Sequence, residues 1–366
     1  MNGSGRIRIV FLEEWPSLRA FHVLPYLCER FDVTYITTGK RVPDAQYKEL
    51  ITFPDPKFHL QRAFQFARHT DALYRAGKID FAYSYATIGY LLTATPYISF
   101  LGGSYLEDIK VSATVLPWHR KWRILSGYIH YGIPELVSTK RAKLVLTNSR
   151  ALRAQICQNY SVREDTVKVI YNGVSESFRE VLREKDLGKA SSALYIGRLH
   201  PSKGVKNLLS AFTKRKHLSM NFYVIGDGSE FAEIRRLAEK DHRILLAREL
   251  QTDEIKKIMT GTKYFLFPSL QEGCPNVLLE AMAAGHVCIG YDIPAVREIL
   301  GDAGIMVSAG RPNEILDEVE KLAGQEQAVR RYIEAASKRS SCFTWDNCAK
   351  ELEIALYKMN EIVTAA

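Results

Sequence analysis

The stretch 265–299, FLFPSLQEGCPNVLLEAMAAGHVCIGYDIPAVREI, decides the fold. It opens with an apolar run that is typical of a buried strand, and Pro268 ends that run. After the loop SLQEG, Pro275 suits the first turn of a helix, and Gly285 ends the helix. A second apolar strand follows at 286–291. This strand–loop–helix–strand unit predicts a parallel sheet, with the loop at the carboxyl edge where open sheets bind ligands.

Two carboxylates bracket the start of that helix. Glu272 lies in the loop, and Glu280 lies one to two turns into the helix. Amides at a helix start have no intrahelical partner and carry partial positive charge, which favours an anion. The spacing alone leaves two interpretations of these glutamates open. They could belong to a site for phosphates and hydroxyls, or they could be a purely structural pair. The helix-start residues in question are Gly273, Cys274, Asn276 and Val277.

Bulk properties describe an ordinary globular protein. The 366 residues suffice for two domains, and 46% apolar and 25% charged residues are typical of soluble proteins. No apolar stretch approaches the ~18 residues of a membrane span, and no secretory signal is visible. The six cysteines are scattered without a CxxC pair, as expected of reduced thiols. The sequence therefore favours a cytoplasmic protein.

The net charge of +9 indicates an anionic partner, which could be a nucleotide, a nucleic acid or an acidic membrane surface. No RNA- or DNA-binding motif accompanies the charge, so we expect no nucleic-acid partner. No Walker A sequence occurs, and GDGSEF at 226–231 matches only half of a dinucleotide fingerprint. No D-x-D pair is present to hold a metal against a diphosphate. We therefore expect no metal site, with protein cations neutralising any bound diphosphate.

Strand and helix patterns alternate along the whole chain, which predicts an α/β protein with doubly wound parallel sheets. The polar segment 175–190 interrupts this alternation and is interpreted as a junction. We expect two Rossmann-like domains facing a cleft, 1–174 and 175–345, followed by an amphipathic C-terminal helix at 346–366.

A second group of polar residues lies in the loop GRLHPSKG, after the first strand of the second half. Arg198 and Lys203 stand beyond the carboxyl end of that strand, at the edge that also carries Glu272. Two cations there would bind a diphosphate through charge-assisted hydrogen bonds. Solvated loop cations are the alternative, although Gly197 and Gly204 favour a loop shaped for close approach to a ligand.

These motifs together resemble the donor-binding half of family 4 retaining glycosyltransferases, which have the GT-B fold. Glu272 and Glu280 fit the family's E-x7-E pattern, and Arg198 and Lys203 fit its Arg–Lys pair. The resemblance is strong over about 140–360 and thin over the first 100 residues. Weaker similarity comes from VLTNS (145–149), VIYNGV (169–174), IGDG (225–228), FPS (267–269) and FTWDNCAKELEIALY (343–357).

The resemblance implies metal-independent transfer of a sugar from a nucleotide-sugar, such as a UDP- or GDP-sugar, to an acceptor hydroxyl with retained anomeric configuration. The donor is a substrate, and no further cofactor is expected. The acceptor would be a glycan or a lipid-linked molecule in glycan, glycolipid or cell-surface polysaccharide synthesis. The last helix would cross back to the N-terminal domain. A noncatalytic nucleotide-sugar or glycan-binding protein and a GT-B nucleotide-sugar epimerase are the alternatives.

The resemblance also implies roles for particular residues. Arg198 and Lys203 would hold the donor diphosphate, Glu280 would bind the ribose hydroxyls, and Glu272 would bind a sugar hydroxyl. Of these, Arg198, Lys203 and Glu272 would be catalytic. The remaining donor-binding residues are expected to be Gly197, Gly226, Arg248, Leu250, Gly273, Cys274, Pro275, Asn276 and Val277.

The N-terminal half departs from the family pattern at two loops. Members often carry a Gly-Gly loop after the first strand, where this chain has WPS at 15–17. Many also place a histidine after the strand that corresponds to YISFL, where this chain has a glycine-rich loop. A backbone-lined pocket could replace that contact. We expect the acceptor-side residues to be Ser17, Gly102, Gly103 and Ser104.

Residues 116–143, called the basic-aromatic segment below, carry six cations against one acid, Glu135. Cations beside Trp and Tyr suit an anionic headgroup layer, which would make the protein peripheral at the inner face of a membrane. A solvated basic face and a pocket for an anionic soluble acceptor are the alternatives. The residues are Arg120, Lys121, Arg123, Lys140, Arg141 and Lys143, with Trp118, Trp122, Tyr128 and Tyr131 between them.

Overall fold

A computed structural model describes residues 5–39, 42–54, 59–115, 122–186 and 191–365. The chain divides into two compact units. The first comprises Met1–Ile109, His119–Asn172 and Trp345–Ala366, and the second comprises Lys110–Trp118 and Gly173–Thr344.

The first unit contains a seven-stranded sheet with the order β3-β2-β1-β4-β5-β6-β7. Every pairing in it is parallel, as the alternation of strands and helices predicts. The sequence reading missed β3, because this edge strand is short and mostly exposed and lacks an apolar run. The strands are β1 (Arg8–Leu12), β2 (Asp32–Thr37), β3 (Glu49–Thr52), β4 (Phe81–Tyr85), β5 (Tyr97–Leu101), β6 (Leu144–Thr147) and β7 (Val167–Val169).

Helices cover both faces of this sheet. Their bounds are α1 (Leu18–Cys28), α2 (His59–Arg75), α3 (Tyr105–Val115), α4 (Trp122–Gly127), α5 (Ile133–Arg141) and α6 (Arg150–Tyr160), with 3-10 turns at Ile88–Leu91 and Glu164–Thr166 and a π-helical turn at Tyr128–Gly132. Alternate residues of β1 face opposite sides of the sheet. Ile9 and Phe11 join one core cluster, and Val10 and Leu12 join another. The central strands are therefore apolar on both faces.

The second unit contains a six-stranded sheet with the order β10-β9-β8-β11-β12-β13. All of its pairings are parallel. The stretch 265–299 supplies the second half of β11, all of β12 and the helix between them, as predicted, and β11 and β12 are neighbours in the sheet. The strands are β8 (Ser192–Ile196), β9 (Phe222–Ile225), β10 (Ile244–Ala247), β11 (Thr262–Phe267), β12 (Val287–Tyr291) and β13 (Ile305–Val307).

The helices that follow Gly173 are α7 (Glu176–Glu184), α8 (Val205–Phe212), α9 (Phe231–Lys240), α10 (Thr252–Gly261), α11 (Asn276–Ala283), α12 (Pro294–Leu300), α13 (Pro312–Leu322) and α14 (Glu326–Ser340), with 3-10 turns at Pro201–Lys203 and Gly301–Ala303. The polar segment interpreted as a junction is thus largely helical. Phe178 and Val181 are buried on one side of α7, which explains its amphipathic pattern. Residues 187–190 of that segment lie outside the described residues.

The last helix, α15 (Trp345–Thr364), belongs to the first unit. Leu352, Leu356 and Met359 are buried in the same core cluster as Val23 and Leu24 of α1. None of the helices in the described ranges is both long enough and apolar enough to cross a membrane.

Candidate active site

The strand order of the second unit reverses between β8 and β11. Loops that leave neighbouring strands at such a switch point diverge and open a crevice, where parallel sheets bind ligands. The loop after β8 carries Arg198 and Lys203, and the loop after β11 carries Glu272. The fold therefore brings the two predicted motifs to one place at the carboxyl edge of this sheet.

Lys203 and Glu272 form an ion pair. The Lys203 Nζ lies 2.7 Å from a Glu272 carboxylate oxygen and also donates to the carbonyl oxygen of Gln271 at 3.1 Å. The two side chains are only 12% and 14% exposed. The sequence assigned these residues to different parts of a ligand and gave no sign of their pairing. Each side chain therefore neutralises the charge of the other.

Arg198 is an exposed cation of the site. Among the described residues, its guanidinium has no hydrogen-bond or ion-pair partner. Its backbone is fixed, because the hydroxyl of buried Tyr195 donates to the Arg198 carbonyl oxygen at 3.0 Å. A fixed backbone with an unpaired guanidinium suits recognition of a phosphate.

The two loops touch through their backbones. Gly204 has a φ of +66°, and a Cβ there would lie 2.3 Å from the carbonyl oxygen of Pro268. The Leu270 amide donates to the Ser202 carbonyl oxygen at 2.8 Å. Only glycine allows this conformation and this approach without strain. Gly204 therefore has a structural role, because it allows the loop that carries Arg198 and Lys203 to pack against the loop that carries Glu272.

The glycines of the sequence IGDG play a similar part. A Cβ on Gly226 would lie 1.9 Å from the carbonyl oxygen of Gly197, so a side chain there would push the two loops apart. The Leu199 amide also donates to the Asp227 carbonyl oxygen at 2.8 Å. Gly197 and Gly226 were both predicted to bind the donor, and in the structure they set the backbone shape of the loops at this edge of the sheet.

Glu280 lies one turn into α11, below the loop that carries Glu272. No described residue hydrogen-bonds or pairs with its carboxylate. Burial raises the pKa of Glu280 to about 7. A desolvated carboxylate without a partner is costly, and it is the kind of group that a ligand's hydroxyls would satisfy.

Helix α11 begins at Asn276, and Pro275 occupies its N-cap position rather than its first turn. Gly273 and Cys274 are buried, whereas Asn276 and Val277 are partly exposed. Amides of a first helical turn lack intrahelical partners. The part of this stretch that is open to a ligand is therefore the helix start itself.

Two further residues that the resemblance assigns to donor binding, Arg248 and Leu250, lie after β10. Arg248 is exposed, pairs with Asp227 at 2.9 Å and lies over the Phe231 ring at 4.0 Å. Leu250 is partly exposed. The sequence reading did not single out Asp227 or Phe231, because a lone acid and a lone aromatic carry no recognisable spacing.

The predicted acceptor-side residues lie in the first unit, at the carboxyl edges of β1 and β5. Ser17 is the N-cap of α1 and accepts from the Ala20 amide at 3.1 Å. It lies beside Glu13, a buried acid that accepts from the Tyr35 hydroxyl at 3.0 Å. Burial raises the pKa of Glu13 to about 7. The sequence reading missed Glu13, because it ends an apolar strand without a motif.

At β5, Gly102 is partly exposed, Gly103 is exposed and Ser104 is buried. The Ser104 hydroxyl donates to Glu135 at 2.9 Å and so is already committed within the protein. Glu135 is completely buried in α5, although the sequence presented it as the one acid of a basic surface. The charge pattern around Glu135 gave no indication that this residue is buried.

Part of the basic-aromatic segment lies outside the described residues, including Trp118, Arg120 and Lys121, and for Trp122 and Arg123 only the backbone is described. Lys140 and Lys143 are exposed. Arg141 donates to the carbonyl oxygens of Tyr90 and Leu92, which fixes α5 to the β4–β5 connection. The segment also carries four apolar or aromatic side chains that are between 38% and 51% exposed: Tyr128, Ile129, Tyr131 and Ile133.

Two family models match the chain, one in each half. Residues 19–178 match the model described as Glycosyltransferase Family 4, and residues 190–325 match the model described as Glycosyl transferases group 1. Together the two matches span most of the chain, including the loops that follow β5, β8 and β11.

Curated relatives and solved structures agree with these models. The chain is 26% identical over 334 residues to an uncharacterised glycosyltransferase of Methanocaldococcus jannaschii, covering 86% of each chain. It is 26% identical to O-antigen chain mannosyltransferase B of Escherichia coli, covering 69% of each. The Anabaena protein HepE, solved with UDP-glucose, is similar in fold at a TM-score of 0.71 and 18% identity, over 96% of this chain and 100% of HepE.

Proposed function

Because this chain belongs to the family 4 glycosyltransferases and has their GT-B fold, we propose that it transfers a sugar from a nucleotide-sugar donor to an acceptor hydroxyl with retention of the anomeric configuration. The observation that carries this proposal is the gathering of Arg198, the Lys203–Glu272 pair and the α11 start at one switch point. Phosphates, sugar hydroxyls and ribose hydroxyls are the groups that such a set recognises.

The donor would bind along the carboxyl edge of the second sheet. Arg198 would contact the diphosphate, and Lys203 would share its charge between Glu272 and a phosphate oxygen. Glu280 would accept hydrogen bonds from the ribose, which its lack of a partner among the described residues supports. A uridine or guanosine base would lie near Arg248 and Leu250. HepE binds UDP-glucose, which supports a UDP-sugar as the first donor to test.

The chemistry would rest on stabilising the leaving group. Breaking the glycosyl–phosphate bond leaves a nucleoside diphosphate and an oxocarbenium-like sugar. A cation and helix-start amides already directed at the phosphates stabilise the charge that develops there, and losing one such contact typically costs about 3 kcal/mol. The acceptor hydroxyl would attack on the face from which the diphosphate leaves, and a phosphate oxygen would take its proton. This route uses no metal and no protein nucleophile.

The acceptor would be a glycan or a lipid-linked molecule in polysaccharide or glycolipid synthesis. The similarity to an O-antigen chain mannosyltransferase supports a role in polysaccharide synthesis. The exposed aromatic and apolar residues of the basic-aromatic segment, together with exposed Lys140 and Lys143, support an anionic membrane surface as a further partner. Recruitment to such a surface would bring the enzyme to lipid-linked acceptors.

A donor screen tests the proposal. Thermal shift with UDP-, GDP- and ADP-sugars identifies the donor, and incubation of that donor with octyl glycosides, followed by mass spectrometry, identifies the product. We expect one nucleotide class to raise the melting temperature, product to form in excess EDTA, and NMR to show the donor's anomeric configuration. Abolition by chelation with rescue by Mg²⁺ or Mn²⁺, or an inverted product, would contradict the mechanism. Donor binding without product would favour a noncatalytic binder.

A further inference from the structure

The loop Gly102–Ser104, called the glycine loop below, is held at its carboxyl end by a buried carboxylate. Glu135 accepts from the Ser104 hydroxyl at 2.9 Å and from the Tyr105 amide at 2.7 Å. It also accepts from the Tyr160 hydroxyl at 2.6 Å. Glu135 is fully buried and stands on α5, so it joins α5 and α6 to the start of α3.

The other end of the glycine loop is held by Asn148, directly after β6. The Asn148 side-chain amide donates to the carbonyl oxygen of Gly102 at 3.1 Å. A carbonyl oxygen can only accept, so the nitrogen of this amide must face Gly102. The loop is thus tied to two different elements, on either side of one residue.

Gly103 lies between the two tethers and is exposed. A Cβ built on it would have no heavy atom within 4 Å. Gly103 therefore exposes its backbone at the carboxyl edge of β5, and no described residue packs against the position of its Cβ. Neither packing nor backbone conformation requires a glycine here.

A buried carboxylate is a costly way to hold a loop. Burial disfavours the charged form of Glu135, and an apolar residue of similar size would often be as stabilising. What Glu135 adds is geometry, because its carboxylate holds the Ser104 hydroxyl and the Tyr105 amide at the end of the loop and is itself held by the Tyr160 hydroxyl of α6. Fixed geometry matters where a backbone must meet a ligand to within a fraction of an ångström.

We propose that Glu135 is a positioning residue that holds the glycine loop so that the Gly103 peptide contacts the acceptor substrate. This inference rests on the proposed function and deepens it. The acceptor would be a hydroxyl-bearing sugar, whose hydroxyls can both donate to a peptide oxygen and accept from a peptide N–H. Glu135 acts only through the loop and does not touch the substrate.

Gly103→Ala is the first test. Its methyl group enters open space, so the melting temperature should stay within about 1 °C of the parent's. With the donor and octyl glycoside that form product in the screen above, the acceptor KM should rise at least tenfold while the donor KM changes less than twofold. An unchanged acceptor KM would overturn the inference. Failure to bind any nucleotide-sugar would instead overturn the proposed function.

Glu135→Gln tests the positioning role, with Asp71→Asn as its matched control. Asp71 is also a buried carboxylate, and it fixes the loop before β5 by accepting from the Thr93 and Thr95 amides at 2.9 Å each. Both variants should lose stability. Only Glu135→Gln should raise the acceptor KM, at least fivefold, and Tyr160→Phe, which removes one of the three donors, should have a smaller effect in the same direction.

A measurement without substrates completes the test. Amide hydrogen exchange over 102–105 should be at least tenfold faster in Glu135→Gln than in the parent, and unchanged in Asp71→Asn. Equal exchange in all three proteins would show that Glu135 does not hold the loop. Equal acceptor kinetics in the two carboxylate variants would show a role in stability alone. Either result overturns the inference.

Discussion

Glu280 illustrates how a residue proposed to bind a ligand can lower the stability of the protein that carries it. Burial raises its pKa from 4.5 to about 7, and no described group pairs with it. Between these two pH values the folded protein binds more protons than the unfolded chain. The stability contributed by this group is therefore fully present below about pH 4.5 and is lost as the pH rises through about 7.

Glu280→Gln should consequently affect stability and binding in opposite directions. At pH 8 the variant should melt at a higher temperature than the parent, because it buries no charge, and the difference should shrink towards pH 5. Its affinity for UDP or GDP should fall at least about tenfold, since each hydrogen bond to a charged group contributes about 1.5–3 kcal/mol. Calorimetry at pH 6, 7 and 8 would measure both the melting temperature and the nucleotide affinity. A variant that binds nucleotide as tightly as the parent at pH 8 would exclude ribose recognition by Glu280.

Arg198 and Lys203 look alike in sequence but should respond differently to mutation. Arg198→Met removes an exposed, unpaired charge, so it should lower turnover about a hundredfold without changing the melting temperature. Lys203→Met leaves Glu272 mostly buried and unpaired, so it should also cost about 1–3 kcal/mol of stability. Arg330→Met, at an exposed arginine of α14, is the control and should change neither quantity. Equal melting temperatures for the Arg198 and Lys203 variants would contradict the importance of the ion pair.

At the scale of elements, the approach of two loops depends on one glycine. Gly204→Ala would force a Cβ to within 2.3 Å of Pro268 in a backbone conformation that L-residues rarely adopt. Gly310→Ala is a matched control, because Gly310 has a φ of +79° with nothing within 4 Å of its Cβ. The control should lose about 1–2 kcal/mol from conformation alone. Gly204→Ala should lose more and should also weaken nucleotide binding. Equal losses in the two variants would mean that the loops separate without cost.

The sequence predicted elements well where local pattern and tertiary position agree. The stretch 265–299 has a buried strand on each side of an amphipathic helix, and all three form where expected. Strand β3 was missed, because edge strands need no apolar run. The two donor-side motifs were predicted to share one edge of a sheet, but the side-chain pairs in the candidate site were not predicted. Pairing of Lys203 with Glu272 and of Ser104 with Glu135 depends on which loops become neighbours, and no local spacing encodes that.

At the scale of the whole molecule, charge and exposed apolar surface meet on the basic-aromatic segment. Tyr128 and Ile129 lie on the π-helical turn between α4 and α5, and Ile133 begins α5. Exposed apolar residues beside cations suit the boundary of a bilayer, where each cation near an anionic surface contributes about 1 kcal/mol. Arg141 should contribute little to membrane binding, because its guanidinium already donates to two backbone carbonyl oxygens.

Co-sedimentation with vesicles of phosphatidylcholine and phosphatidylglycerol tests this surface. The protein should pellet with anionic vesicles at low salt and should be released at high salt, because screening removes the electrostatic part of the binding. Ile129→Ser with Ile133→Ser should weaken pelleting at low salt. The control, Ile354→Ser with Tyr357→Ser, changes an equally exposed apolar pair on α15 and should have no effect. Neutralising Arg120, Lys121 and Arg123 together should abolish the salt-sensitive part. Pelleting that is absent at low salt, or that survives all three sets of changes, would favour a soluble acceptor reached without a membrane.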